Sequence, residues 1–94
     1  MVPPRKRVHV VVRGYVQGIF FRETTRRKAA ALGVRGWVRN RPEGSVEAVF
    51  EGNPRSVDEL VAWCRRGPIG AEVDGVESVE EPYEGKFIRF EVRW

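Results

Sequence analysis

Metal ligands and nucleophiles are scarce in this chain of 94 residues. It carries one histidine, His9, one cysteine, Cys64, and two aspartates, Asp58 and Asp74. No pair of them has the spacing of a metal site, so no metal is expected. A Ser-His-Asp set cannot be assembled either, because the one histidine occupies an unsupported position in a run of valines. A lone cysteine excludes an internal disulfide. Cys64 falls in step with Val57, Leu60 and Val61, which reads as core packing rather than as a nucleophile. The reducing cytosol is the default compartment for such a chain.

Long apolar runs are also missing. None approaches the ~18 residues of a membrane span, and the start, Met1-Val-Pro-Pro-Arg-Lys-Arg7, lacks the apolar stretch of a signal peptide. Residues 1–6 read as a basic lead-in to a single domain, 1–94. The chain has no residue-level repeat and no low-complexity tract. What it does have is 41% hydrophobic and 32% charged residues, a globular balance. A chain of this length buries roughly 60–68% of the surface its unfolded form exposes, enough for one modest core. A net charge of +4 favours an anionic partner: nucleic acid, a membrane surface or a phosphorylated metabolite. Charge alone does not choose among them. The clusters Arg5-Lys6-Arg7, Arg26-Arg27-Lys28 and Arg39-Asn40-Arg41 read mostly as solvated faces.

Patterning divides the chain into alternating elements. Arg7 to Arg13 is a β-branched run closed by Gly14, a strand. Phe21 to Leu32 contains neither Gly nor Pro and sets Phe21, Thr25, Ala29 and Leu32 on one helical face, with Gly33 as the stop. Val34–Asn40 and Ser45–Glu51, joined by Arg41-Pro-Glu-Gly44, make a hairpin. A second helix follows with two candidate starts, Asn53 with Pro54 behind it or Ser56 paired with Glu59. Its buried stripe is Val57, Leu60, Val61 and Cys64, and Gly67-Pro68 ends it. A weak strand near Val76–Glu81 and a clean one over Lys86–Arg93 complete the chain. The order β-α-β-β-α-β, with an extra strand in the last third, predicts an α+β ferredoxin-like sandwich. It has an antiparallel sheet with both helices on one face. Val8, Val10, Val12, Val46, Ala48 and Phe50 should line the core. That fold hosts many functions and assigns none.

Two segments carry unusual chemistry. In Gly14-Tyr-Val-Gln-Gly-Ile-Phe-Phe-Arg22, two glycines bracket a short loop and an arginine stands in the first turn of the next helix. Cations are disfavoured at that end, where unsatisfied N–H groups are already positive. An anion there would offset both, with inward backbone N–H groups and a forked guanidinium as its donors. Alone, the segment reads equally as a plain connection with a surface arginine, and it is not a nucleotide-binding P-loop. In Gly36-Trp-Val-Arg-Asn-Arg-Pro-Glu-Gly44, Asn40 stands at a strand end. It reads as a turn-forming residue or as an amide able to orient a water.

Together the two segments resemble the paired signature motifs of the acylphosphatase family, Gly-x-Val-Gln-Gly-Val-x-Phe-Arg and Gly-Trp-Val-Arg-Asn followed by a turn and Gly-x-Val-Glu. Ile19 replaces the usual valine and Glu43 stands where aspartate is common. The resemblance implies a hydrolase that splits acyl phosphates into carboxylate and inorganic phosphate by in-line attack of water, without metal or other cofactor. By the same resemblance Arg22 is the phosphate-binding catalytic arginine and Asn40 positions the water. The backbone N–H groups of Tyr15, Val16, Gln17, Gly18, Ile19 and Phe20 form the phosphate cradle, with Gln17 and Gly18 structural. It further implies a cytoplasmic monomer with a small-molecule substrate and no nucleic-acid or membrane partner.

Two other readings compete. A basic ferredoxin-like domain can bind nucleic acid by stacking bases on its open sheet face. The strand Val46-Glu-Ala-Val-Phe-Glu51, however, has acidic residues where that consensus wants aromatics. The second is an acylphosphatase-like domain of a larger carbamoyl-transfer enzyme, which would keep the anion loop.

Overall fold

The computed structural model describes residues 3–94; Met1 and Val2 of the lead-in lie outside the described residues. Five strands and two helices follow in the order β1 (Lys6–Tyr15), α1 (Phe21–Leu32), β2 (Arg35–Asn40), β3 (Val46–Gly52), α2 (Pro54–Cys64), β4 (Glu72–Glu81) and β5 (Phe90–Arg93). The strands form one sheet in the order β4-β1-β3-β2-β5. Both helices cover one face, α1 over β2 and β5, α2 over β1, β3 and β4.

The period-2 patterning decides which face is buried. Val8, Val10 and Val12 of β1 pair with Phe50, Ala48 and Val46 of β3, and all are buried beneath the helices. Phe21, Thr25 and Ala29 are the buried face of α1, while Val57, Leu60 and Cys64 are that of α2. Trp63 joins them, its ring centroid 5.4 Å from that of Phe21. Of the two possible starts of α2, Asn53 is the one used. Its side chain accepts from the Arg55 N–H at 2.9 Å, and Pro54 sits in the first turn.

The expected all-antiparallel sheet needs correction. β5 runs parallel to β2, with Arg39 opposite Arg93, so the sheet is mixed. The connector after β4 is pinned across one end of the sheet. The buried carboxylate of Glu51 accepts from the backbone N–H groups of Glu84 and Gly85 at 2.9 and 3.2 Å, and from Arg7 at 3.1 Å. A chain that stays at that end must re-enter the sheet antiparallel to β4, which makes it parallel to β2. The same connector shortens the last strand. The expected Lys86–Arg93 becomes Phe90–Arg93, since Arg35 donates to the Phe87 carbonyl and Gly36 to that of Arg89 before regular pairing begins. Ile88 consequently stays exposed, while Phe90 is buried. β4 is the longer strand, starting at Glu72, because β1 offers it partners as far as Tyr15.

Candidate active site

The loop between β1 and α1 is shaped by close approach at one end and backbone strain at the other. β1 bulges between Arg13 and Gly14. A Cβ on Gly14 would lie 2.1 Å from the Glu72 carbonyl oxygen, so only glycine fits there. Tyr15 still belongs to β1, opposite Glu72, and Val16 is buried below the loop. Gln17 Nε2 donates to the carbonyls of Arg41 at 2.8 Å and Ser45 at 2.9 Å, spending both amide hydrogens to fasten the loop to the β2–β3 turn. Gly18 has φ +77 with open space around it, so its need for glycine is conformational.

Phe20 ends the loop in the left-handed region, φ 60 and ψ 26, and no side chain caps α1 there. Thr24 makes the first helical hydrogen bond, to the Phe20 carbonyl at 3.0 Å. The amides before it therefore keep the anion-attracting character of an open helix start.

Arg22 lies in this first turn. Its guanidinium carbon is 4.1 Å from the centroid of the Trp94 ring, and Nη1 donates to the Arg93 carbonyl at 3.2 Å. Stacking uses the flat face of the guanidinium and the carbonyl uses one edge. Among the described residues the remaining in-plane N–H donors have no partner and are available to an oxyanion. Asn40 closes β2, half-buried. Its Oδ1 is one of two buried side-chain polar atoms without a hydrogen-bond partner among the described residues; the other is Ser45 Oγ. Such an orphan acceptor is costly to maintain, at about 1–3 kcal/mol.

Arg22 and Asn40 face a common cavity of about 490 Å³, lined also by Val16, Gly18, Phe20 and Trp94. Of the other expected cradle residues, Tyr15 and Gln17 do not line it, and Ile19 lines a neighbouring groove of about 500 Å³ that shares Phe20. Trp94 was not foreseen. It follows Arg93, which pairs with Arg39, so only the parallel β2–β5 pairing sets it beside Asn40.

Charges around the cavity are mostly committed. Glu23 also lines it, and hydrogen bonds from Arg26, then Arg27, hold its carboxyl down to about 2. Inside the core, burial pushes the Cys64 thiol up to about 12, which fits packing and not nucleophilic chemistry. His9 is not unsupported: its Nε2 lies 2.6 Å from Glu47 Oε2, on the open face of the sheet. Burial resists ionisation of Glu47, but bonds from His9 and Arg39 outweigh it and hold the carboxyl below its usual range. On that face Arg39 and Arg93 both lie against the Trp37 ring, 5.4 and 4.8 Å from its centroid. Among the described residues no three His, Cys, Asp or Glu side chains converge as metal ligands. No described helix is long and apolar enough to cross a membrane.

Residues 8–92 match the family model described as Acylphosphatase. An acylphosphatase of Rubrobacter xylanophilus is 61% identical over 94% of this chain and 80% of its own length. Among solved structures, an acylphosphatase from Coxiella burnetii superposes with a TM-score of 0.90 at 42% identity, covering 95% of this chain and 93% of that one. The acylphosphatase of Bacillus subtilis gives the same TM-score, 0.90, at 27% identity, covering 95% of this chain and 99% of that one.

Proposed function

The chain belongs to the acylphosphatase family, a hydrolase of small acyl phosphates, and on that premise we propose that Arg22 and Asn40 carry its chemistry. The observation that supports this most directly is their meeting in one cavity. A guanidinium with free in-plane donors stands at an uncapped helix start, opposite a buried amide oxygen with no partner.

An acyl phosphate needs little help to break, because its carboxylate leaves as a stabilised anion. The protein must hold the phosphoryl group, spread the charge on its equatorial oxygens and place one water in line. The loop amides that border the cavity, at Val16, Gly18 and Phe20, the open start of α1 and Arg22 perform the first two tasks. Asn40 performs the third, its Oδ1 accepting a hydrogen bond from the water so that a lone pair faces phosphorus. Asparagine is no base at neutral pH, and the water's proton passes to a phosphate oxygen. No metal takes part, and the products are carboxylate and inorganic phosphate. The enzyme acts as a monomer in the cytosol, where its one buried thiol has no disulfide to form.

The test is hydrolysis of benzoyl phosphate with excess chelator for wild type, Arg22→Ala and Asn40→Ala. Loss of one donor to developing charge costs about 2.7–4 kcal/mol, ~10²–10³ in rate. Arg22→Ala should lose at least that much, since the charge goes too, and Asn40→Ala a comparable factor in kcat. Retention of most of the rate by both variants would overturn the assignment. Loss of activity to the chelator would overturn the metal-free mechanism.

A further inference from the structure

Phe20 is the residue that phosphate binding alone does not account for. It is the one non-glycine residue with positive φ among those described, a conformation in which a bulky side chain is strained and glycine is not. Burial does not offset that strain, because the residue is 82% exposed. Backbone N–H groups would line a cradle equally well with glycine there, so the phenyl ring itself needs a reason.

Its surroundings supply one. Phe20 borders two cavities. One holds Arg22 and Asn40; the other runs over Ile19, Pro68 and Ile69. Ile69 is fully exposed, so it too serves no packing. The loop fixes a direction. Gln17 ties one end to the turn just after Asn40, while Ile19 and Phe20, at the other end, border residues 67–69. In an in-line displacement the attacking water and the leaving carboxylate occupy opposite apices of the phosphoryl group. With water on the Asn40 flank, the acyl group departs over Phe20 toward Ile19 and Ile69. The second groove also has cationic neighbours, but the Lys28 ammonium lies over the Trp63 ring, 5.4 Å from its centroid, leaving Arg66.

We propose that Phe20, Ile19 and Ile69 form an acyl subsite that selects acyl phosphates with an aromatic or otherwise apolar acyl group. The subsite rests on the placement of the phosphoryl group at Arg22 proposed above. It gives the strain at Phe20 a use: the left-handed backbone turns the ring outward over the path of the leaving group.

The experiment compares kcat/KM for benzoyl, acetyl and succinyl phosphate in wild type, Phe20→Gly, Ile69→Ser and Arg22→Ala. The benzoyl-to-acetyl ratio, in which intrinsic reactivity cancels between variants, should fall about tenfold in Phe20→Gly and severalfold in Ile69→Ser, through KM, as loss of apolar contact does. The melting temperature of Phe20→Gly should equal or exceed that of wild type, which loss of a structural side chain would not allow. An unchanged ratio in both variants overturns the subsite, as does a wild-type preference for succinyl phosphate, which would assign the groove to Arg66 and a charged acyl end. Arg22→Ala separates the two layers. It should depress benzoyl and acetyl phosphate by the same large factor, whereas a wild-type rate in Arg22→Ala would remove the phosphate placement itself.

Discussion

Two strand-to-helix junctions in this protein follow one plan and finish differently. Between β3 and α2, Asn53 stands in an extended conformation, φ −57 and ψ 132, and its side chain closes the helix start on the Arg55 N–H. Between β1 and α1, Phe20 occupies the same place in a left-handed conformation, and the start stays open. One junction is finished by its own side chain. The other keeps its backbone donors for something else, and an arginine in the first turn adds positive charge where the helix already has it. Local stability has been given up at one junction and kept at the other, a pattern expected where a binding site is built into a fold.

Substitutions can break that contrast, and the largest effect should come from the open junction. Arg22→Ala should lower kcat/KM for benzoyl phosphate by ~10²–10³ or more. It should leave melting nearly unchanged, because its guanidinium makes one hydrogen bond and one stack at the surface. A large drop in melting temperature with activity intact would reverse the roles assigned here.

Next is Gln17→Ala, which strips two hydrogen bonds from the carbonyls of Arg41 and Ser45. Each carbonyl keeps a backbone donor, the Gly44 N–H on Arg41 and the Arg41 N–H on Ser45, so the expected cost is that of two ordinary hydrogen bonds, about 1–3 kcal/mol together. Urea denaturation should show it, together with a lower kcat, since the same bonds hold the loop against the Asn40 turn. Stability lost with kcat intact would separate the loop from the water-positioning side. At the closed junction, Asn53→Ala should cost about 1 kcal/mol of stability with kcat/KM unchanged. An activity loss comparable to that of Arg22→Ala would end the comparison.

The smallest effect concerns acids. α1 has Glu23 in its first turn and α2 has none. Glu23 is held down from 4.5 to about 2 by Arg26 and then Arg27. A carboxyl depressed in the folded state stabilises fully above its unfolded value and loses that contribution as pH falls toward the folded one. The melting difference between wild type and Glu23→Gln should therefore be constant above about pH 5 and fade between 4.5 and 2. Because the pair is exposed, added salt should shrink it. A difference that grew on acidification would refute the pairing.

Much of this was legible beforehand, and the exceptions share a cause. The helix over Phe21–Leu32, the hairpin and the valine face of β1 all follow from patterns within a dozen residues. Periodicity, Gly stops and β-branching are local signals. The direction and length of β5 were not legible, because they depend on Glu51 reaching across to the backbone of Glu84 and Gly85. The partner of His9 was missed for the same reason: Glu47 arrives from another strand.

The candidate site divides likewise. By itself the sequence determined that a glycine-bracketed loop leads into a helix whose first turn carries Arg22, and that Asn40 ends a strand before a turn. Spacing and residue type are properties of the chain. Only the tertiary structure decided that these two side chains share a cavity, that Trp94 lies against the guanidinium, and that the Phe20 ring hangs over a second groove. Those facts depend on sheet order and on a parallel edge strand. Hydrogen bonds between residues tens of positions apart decide such pairings, and no local pattern encodes them.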